Sequence, residues 1–383
     1  MKVLFDYQTF EEQKLGGISR YFFELYKRFR SDPDIEINLP VNCSENIYLK
    51  SLEEYKNTPS ELIHPYEKFL PKFKFRGKWI VYSLFSKTVH AVSNKENSLN
   101  YIKQGDFDIF HPSYYNPYYL DTIQNKPLVI TVHDMINEIY PGYFPLDAPT
   151  SSNKRALITR ADKIIAVSER TKSDLINIFD VPPEKITVIY HGNSLVATTV
   201  KQDNKLDLPE IYLLFVGNRL IYKNFYFFIE SIKDLLNNNA DLKVICTGEP
   251  FSSGEKEYFK MHRIENNMIH FFADDSVLTQ LYSSAVAFIF PSLYEGFGIP
   301  VLEAFSCGCP CLLSNASSLP EVGGDAVFYF DPGSSESILS AVNKILSDKK
   351  LQDELRVKGY SQLKKFSWEK TAAETKEVYK RLI

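Results

Sequence analysis

The stretch from Val286 to Ala304 constrains this chain more than any other. Val286 to Phe290 is an apolar run of the length of a buried strand. Pro291-Ser292-Leu293-Tyr294-Glu295-Gly296-Phe297-Gly298 follows at once, and then a helix-forming run. Pro300 suits the first turn of that helix, where no intrahelical N–H is needed. A helix start presents unpaired N–H groups and a partial positive charge, which suit an anion such as phosphate. Glu295 in the loop and Glu303 in the helix add acceptor-only carboxylates suited to sugar hydroxyls. The plainer reading is a strand-to-helix turn with two solvated glutamates.

The same unit recurs along the chain. Lys2 to Phe5 is a strand, and after Gly16-Gly17 the apolar residues Ile18, Tyr21, Phe22, Leu25 and Phe29 mark one face of a helix. Leu128 to Val132 ends at His133-Asp134, Lys163 to Val167 ends at the N-cap candidate Ser168, and Ile186 to Tyr190 ends at His191-Gly192. A polar, aperiodic stretch then reads as a linker over 196–209. The rhythm restarts with Tyr212 to Val216 before Gly217, Leu242 to Cys246 before Thr247-Gly248, and Met268 to Phe272 before Ala273. Strands at Cys311 to Leu313 and Val327 to Phe330 follow, with helices over Ser335 to Ser347 and Leu351 to Lys364 and a last one from Ser367. This alternation predicts an α/β protein with parallel sheets and right-handed crossovers. It divides into a first domain over 1–195, a second over 210–365, and a terminal helix over 366–383 that crosses back.

Glu295 and Glu303, set as EGFGIPVLE, resemble the Glu-x7-Glu signature of the retaining glycosyltransferases of family 4, whose two-domain fold is called GT-B: two Rossmann-like parallel-sheet domains facing across a cleft. The resemblance implies that Glu295 and the adjoining amides of Gly296, Phe297, Gly298 and Ile299 meet the donor sugar and its phosphates, and that Glu303 holds the ribose hydroxyls. GGISRY is similar to the family's N-terminal glycine loop, which puts Gly16 and Gly17 across the cleft from the nucleotide sugar. Thr131-Val132-His133-Asp134 resembles the segment whose histidine reaches the donor sugar, a role carried onto His133. Gly217 to Asn224 is similar to the pyrophosphate loop, with Lys223 at the family's lysine position and Arg219 one residue beyond the commonest arginine position. Thr247, Gly248 and Phe272 fall on the two loops that surround the base. Many members have glycine near Phe272, so the base stays open. Arg20 reads as a solvated helix residue, with an acceptor phosphate as the alternative.

Composition narrows the partners. The chain has 383 residues and a formal net charge of -4, which gives no footprint for nucleic acid. Five cysteines and a first stretch that reads as a strand rather than a secretion signal suit a reducing cytoplasm. Cys307, Cys309 and Cys311 are too closely spaced for a zinc pair and read as buried thiols. Asp106 and Asp108 read as part of a strand approach rather than a metal site, and no metal or other cofactor is expected. Lys68 to Lys87 interleaves basic and aromatic residues and is a candidate surface for the inner face of the plasma membrane, or else an ordinary packed helix.

The expected activity is transfer of a sugar, mannose from GDP-mannose first, to a glycan or lipid-linked glycan. The resemblance to bacterial mannosyltransferases of surface-polysaccharide assembly implies this. A UDP-sugar donor, a nucleotide-sugar epimerase and a non-catalytic binding subunit stay open.

Overall fold

A computed structural model describes residues 1–60, 92–144, 149–195 and 206–383. The basic aromatic stretch Lys68 to Lys87 and part of the linker lie outside the described residues. Twelve strands are seen among them: β1 (Lys2–Phe5), β2 (Glu36–Asn38), β3 (Ile109–His111), β4 (Val129–Val132), β5 (Lys163–Ala166), β6 (Ile186–Val188), β7 (Ile211–Phe215), β8 (Leu242–Cys246), β9 (Met268–His270), β10 (Ala287–Phe290), β11 (Cys311–Ser314) and β12 (Phe328–Phe330).

Every pairing between them is parallel. The first half forms β2-β1-β3 and β4-β5-β6, joined by a parallel bridge between Phe110 and Leu128. The second half forms one sheet in the order β12-β11-β10-β7-β8-β9. Parallel sheets carry helices on both faces, so their strands are apolar throughout rather than alternating. Ala287-Phe288-Ile289-Phe290 is buried at all four positions, as is Val129-Ile130-Thr131-Val132.

In the second sheet the strand order reverses between β7 and β10. Open parallel sheets leave a crevice at such a point, beyond the carboxyl ends of the strands. The loops after β7 and after β10 therefore stand side by side, and Leu293 N–H donates to the Tyr222 carbonyl at 2.8 Å.

The terminal helix Trp368–Lys380 packs on the first domain, not the second. Trp368 is buried with Phe5, Tyr21 and Phe22, and its Nε1 donates to Ser194 Oγ at 2.7 Å. Lys376 reaches Asp32 and Asp34 at 2.7 Å each. Gly192 makes room for this crossing, because a Cβ there would overlap the Trp368 backbone.

Asp106 and Asp108 serve the first strand: Lys2 Nζ pairs with Asp106 at 2.7 Å and Lys2 N–H donates to Asp108 at 2.7 Å. All five cysteines are buried. Among the described residues no group of three or more His, Cys, Asp or Glu could hold a metal ion, and no helix is long and apolar enough to cross a membrane.

Candidate active site

The loop after β10 is fixed from both domains. Gly298 has φ +114°, a left-handed conformation that favours glycine, and it leads into the helix Ile299–Ser306 with Pro300 in its first turn. Ser317 Oγ accepts from Glu295 N–H at 3.2 Å and donates to the Glu295 carbonyl at 2.6 Å, while Ser318 Oγ donates to the Phe297 carbonyl at 2.9 Å. From the first domain, Ser168 Oγ donates to the Gly296 carbonyl at 2.7 Å. A Cβ on Gly296 would overlap the His133 carbonyl oxygen, so only glycine allows this approach. Glu321 closes the same contact from the other side, accepting from Glu169 N–H at 2.7 Å. That places a carboxylate at the N-terminus of helix Glu169–Phe179, where the helix end favours it.

Lys223, at the end of the loop after β7, ion-pairs with Glu295 at 2.7 Å. Both side chains are largely buried, and Lys223 Nζ lies 5.0 Å from the Phe290 ring centroid. A lysine so placed beside a helix start is a point charge for an anion. Gly17 starts the facing helix Gly17–Arg30, and its nearest neighbour across the cleft is Ile299. Gly16 caps that helix in extended backbone, with Gln13 packed so closely that a Cβ would overlap it. Two helix starts, one from each domain, thus face the same space.

His133 directly follows β4 and is buried with Nε2 unpartnered. Burial, with His191 and His111 nearby, holds it well below the usual histidine range. Its backbone is braced by Lys154, a buried lysine that donates to the Asp134 carbonyl at 2.9 Å and pairs with Glu138 at 2.8 Å. Glu303 is buried in the helix after Gly298, and Tyr282 OH donates to its Oε2 at 3.3 Å.

Arg219, expected at the phosphates, makes its contacts here with the loop after β8 and the helix that follows it. It is buried against Glu255 and donates to the Glu249 carbonyl at 2.7 Å, which fixes the loop after β8. Its guanidinium is therefore committed within the second domain. Arg20 corrects the reading of a solvated arginine, since it is 6 % exposed and pairs with Asp275 of the second domain at 3.1 Å. Thr247 is buried, with Oγ1 accepting from Gly217 N–H at 3.3 Å, and Gly248 has φ +89° against the Gly217 carbonyl. Phe272 stands 75 % exposed beside His270, at the edge of the sheet. Ser168, Thr171, Glu321 and Lys154 support the site as well, a role that sequence reasoning misses. Their partners lie far along the chain, so no local spacing marks them.

Two Rossmann-like sheets, a reversed strand order and a cation beside a glycine-bounded helix start define a GT-B glycosyltransferase. Two family models divide the chain between them: Glycosyltransferase Family 4 over residues 60–195 and Glycosyl transferases group 1 over residues 196–362. The chain belongs to these family 4-like glycosyltransferases. It is 27 % identical over its whole length to O-antigen chain mannosyltransferase B of Escherichia coli, all of which is covered. Its fold matches sucrose-phosphate synthase of Thermosynechococcus elongatus with a TM-score of 0.73, at 18 % identity over 100 % of this chain and 98 % of that one. It also matches Anabaena Alr3699/HepE, solved with UDP and glucose, with a TM-score of 0.70 at 18 % identity over 98 % of both chains.

Proposed function

We propose that the protein is a retaining mannosyltransferase that moves mannose from GDP-mannose to a glycan or lipid-linked glycan in surface-polysaccharide synthesis, at the cytoplasmic face of the plasma membrane. The observation that carries the reading is the meeting of Lys223 and Glu295 at the strand-order switch, beside the Gly298 helix start and opposite Gly17 and His133. The mannosyl donor is supported by the Escherichia coli relative, an O-antigen chain mannosyltransferase by its name.

The hard event is departure of the diphosphate from the anomeric carbon. Negative charge grows on the phosphate oxygens while the sugar takes oxocarbenium character. Lys223 and the amides from Gly298 onward supply preorganised countercharge, each charge-assisted bond being worth about 1.5–3 kcal/mol. An incoming diphosphate takes Lys223 from Glu295, and the freed carboxylate turns to the sugar. His133 Nε2, buried without a protein partner, then meets a sugar hydroxyl. The acceptor oxygen bonds to the anomeric carbon on the face the diphosphate leaves, and its proton passes to a departing phosphate oxygen. Glu303 accepts from the ribose. No metal is required in this scheme, and transfer is expected to survive a chelator.

The test pairs thermal shift with a transfer assay across UDP, GDP, ADP and their sugars. GDP and GDP-mannose are expected to raise the melting temperature most, since a ligand of the folded state stabilises it. Glu295→Ala and Lys223→Ala are each expected to lower transfer about a hundredfold or more. Unchanged transfer in Glu295→Ala would sink the catalytic reading. A larger shift with UDP would favour the second reading, a UDP-sugar donor, which the UDP complex of the structural relative supports.

A further inference from the structure

The segment His133-Asp134 is held at both ends. Tyr115 OH accepts from His133 N–H at 3.1 Å, and Lys154 Nζ donates to the Asp134 carbonyl at 2.9 Å. The His133 carbonyl between them is the group that Gly296 approaches so closely that a Cβ would overlap it. Lys154 Nζ also lies 5.2 Å from the Tyr115 ring centroid, so one ammonium bears on both anchors. That ammonium comes from helix Thr150–Arg160, and its partner Glu138 from helix Ile136–Ile139.

This ion pair is a poor stabiliser of the fold. Both side chains are 1 % exposed, and their helices contribute Ile136, Leu157 and Ile158 to the buried apolar cluster of the first domain. Taking two charges out of water costs more than their attraction returns unless the remaining polar atoms are satisfied too. Glu138 Oε2 accepts from the lysine at 2.8 Å, but Oε1 is buried with no hydrogen-bond partner among the described residues. Two apolar side chains of similar volume would leave such a fold as stable or more so. They could not donate to the Asp134 carbonyl.

We propose that Lys154 and Glu138 are positioning residues for His133: the pair holds the His133-Asp134 backbone where the imidazole meets the donor sugar, and its role is that placement and not the stability of the fold. This rests on the reading of His133 as a contact to the donor sugar. Glu138 fixes the ammonium, the ammonium fixes the Asp134 carbonyl, and the backbone there sets where the ring stands. His133 Nε2 has no partner among the described residues, so backbone and packing alone aim it. A displacement of about 1 Å at such a point costs up to about a hundredfold in rate.

The experiment compares the full chain with the double variant Lys154→Met/Glu138→Leu, with His133→Gln and with the triple variant. It reads melting temperature, dissociation constants of GDP and UDP by calorimetry, and nucleotide release from GDP-mannose and UDP-glucose with methyl α-mannoside as acceptor. The double variant is expected to melt within about 5 °C of the wild type or above it. It should bind the better nucleotide within about twofold of the wild type, because Lys223 and the Gly298 helix start are untouched. It should release nucleotide about tenfold or more slowly. His133→Gln is expected to lose at least as much, and the triple variant to be no slower than His133→Gln, since the pair acts only through that residue. A double variant that fails to fold, melts lower than this, or loses nucleotide affinity in step with rate makes the pair structural and overturns the proposal. A triple variant slowed by the product of the two losses overturns it too. A slow His133→Gln beside a wild-type rate in the double variant overturns the proposal and leaves the reading of His133 standing. A wild-type rate in His133→Gln overturns that reading and the proposal with it, and a wild type that turns over neither donor overturns the transferase reading as well.

Discussion

Three imidazoles, those of His111, His133 and His191, are buried around Tyr21. His111 is bonded at both nitrogens, to Tyr379 OH at 2.6 Å and to Thr131 Oγ1 at 2.9 Å. Burial lowers His111 and His191 to about 3, and His133 also falls well below its usual value. In the unfolded chain each takes up a proton near pH 6.5. Between about pH 6.5 and pH 3 the unfolded state therefore binds protons that the folded state does not. Stability is full above that window and is lost as pH falls through it, by about 1.4 kcal/mol per pH unit for each histidine. Asp6 and Glu303, whose carboxyls burial pushes up, offset part of this above about pH 4. Melting temperature should be level above pH 7 and drop steeply from pH 6 to 4, with His191→Gln flattening the drop by one proton's worth. A level profile across that range would count against buried neutral imidazoles.

Among the elements, helix Trp368–Lys380 is the one whose loss should be felt furthest away. Trp368 packs 5.6 Å from His191 and 6.1 Å from Tyr21, centroid to centroid. Trp368→Ala is expected to cost about 3–5 kcal/mol in chemical denaturation of the first domain, although the residue lies past the second domain in the chain. Runs with clear apolar character are legible in the amino-acid pattern: Leu242–Cys246 and Ser335–Ser347 start and end where that pattern puts them. Glu36–Asn38 is not legible, because three residues with polar ends carry no period. Helix Asn94–Gln104 is not either, since it buries Asn94 and Ser98 along with Ile102. At the site, glycines and charged residues at strand ends mark the loops, because one short segment must supply both turn and ligand. Which way a long side chain turns is decided by the opposing surface. Arg219 finds Glu255 and Arg20 finds Asp275, 36 and 255 residues away. Asn224 has the residue type of a helix cap, yet it adopts φ 58° and gives its side-chain N–H to the Pro332 carbonyl.

The molecule as a whole is held closed by contacts that converge on one backbone approach, Gly296 against His133. Tyr294 OH donates to Asp174 at 2.6 Å, and Ser168 and Glu321 make their own bonds across the same seam. Gly296→Ala is expected to hold the domains apart, raising the radius of gyration in solution scattering and lowering transfer about tenfold or more, with each domain still folded. Normal transfer in that variant would show that closure does not need the approach. The chain passes between the halves twice, once between β6 and β7 and again at Ser367. A body hung at two points swings about the line joining them and resists twisting, as a door does on its frame. Opening should then trace a single arc, and each return should bring the same edges together.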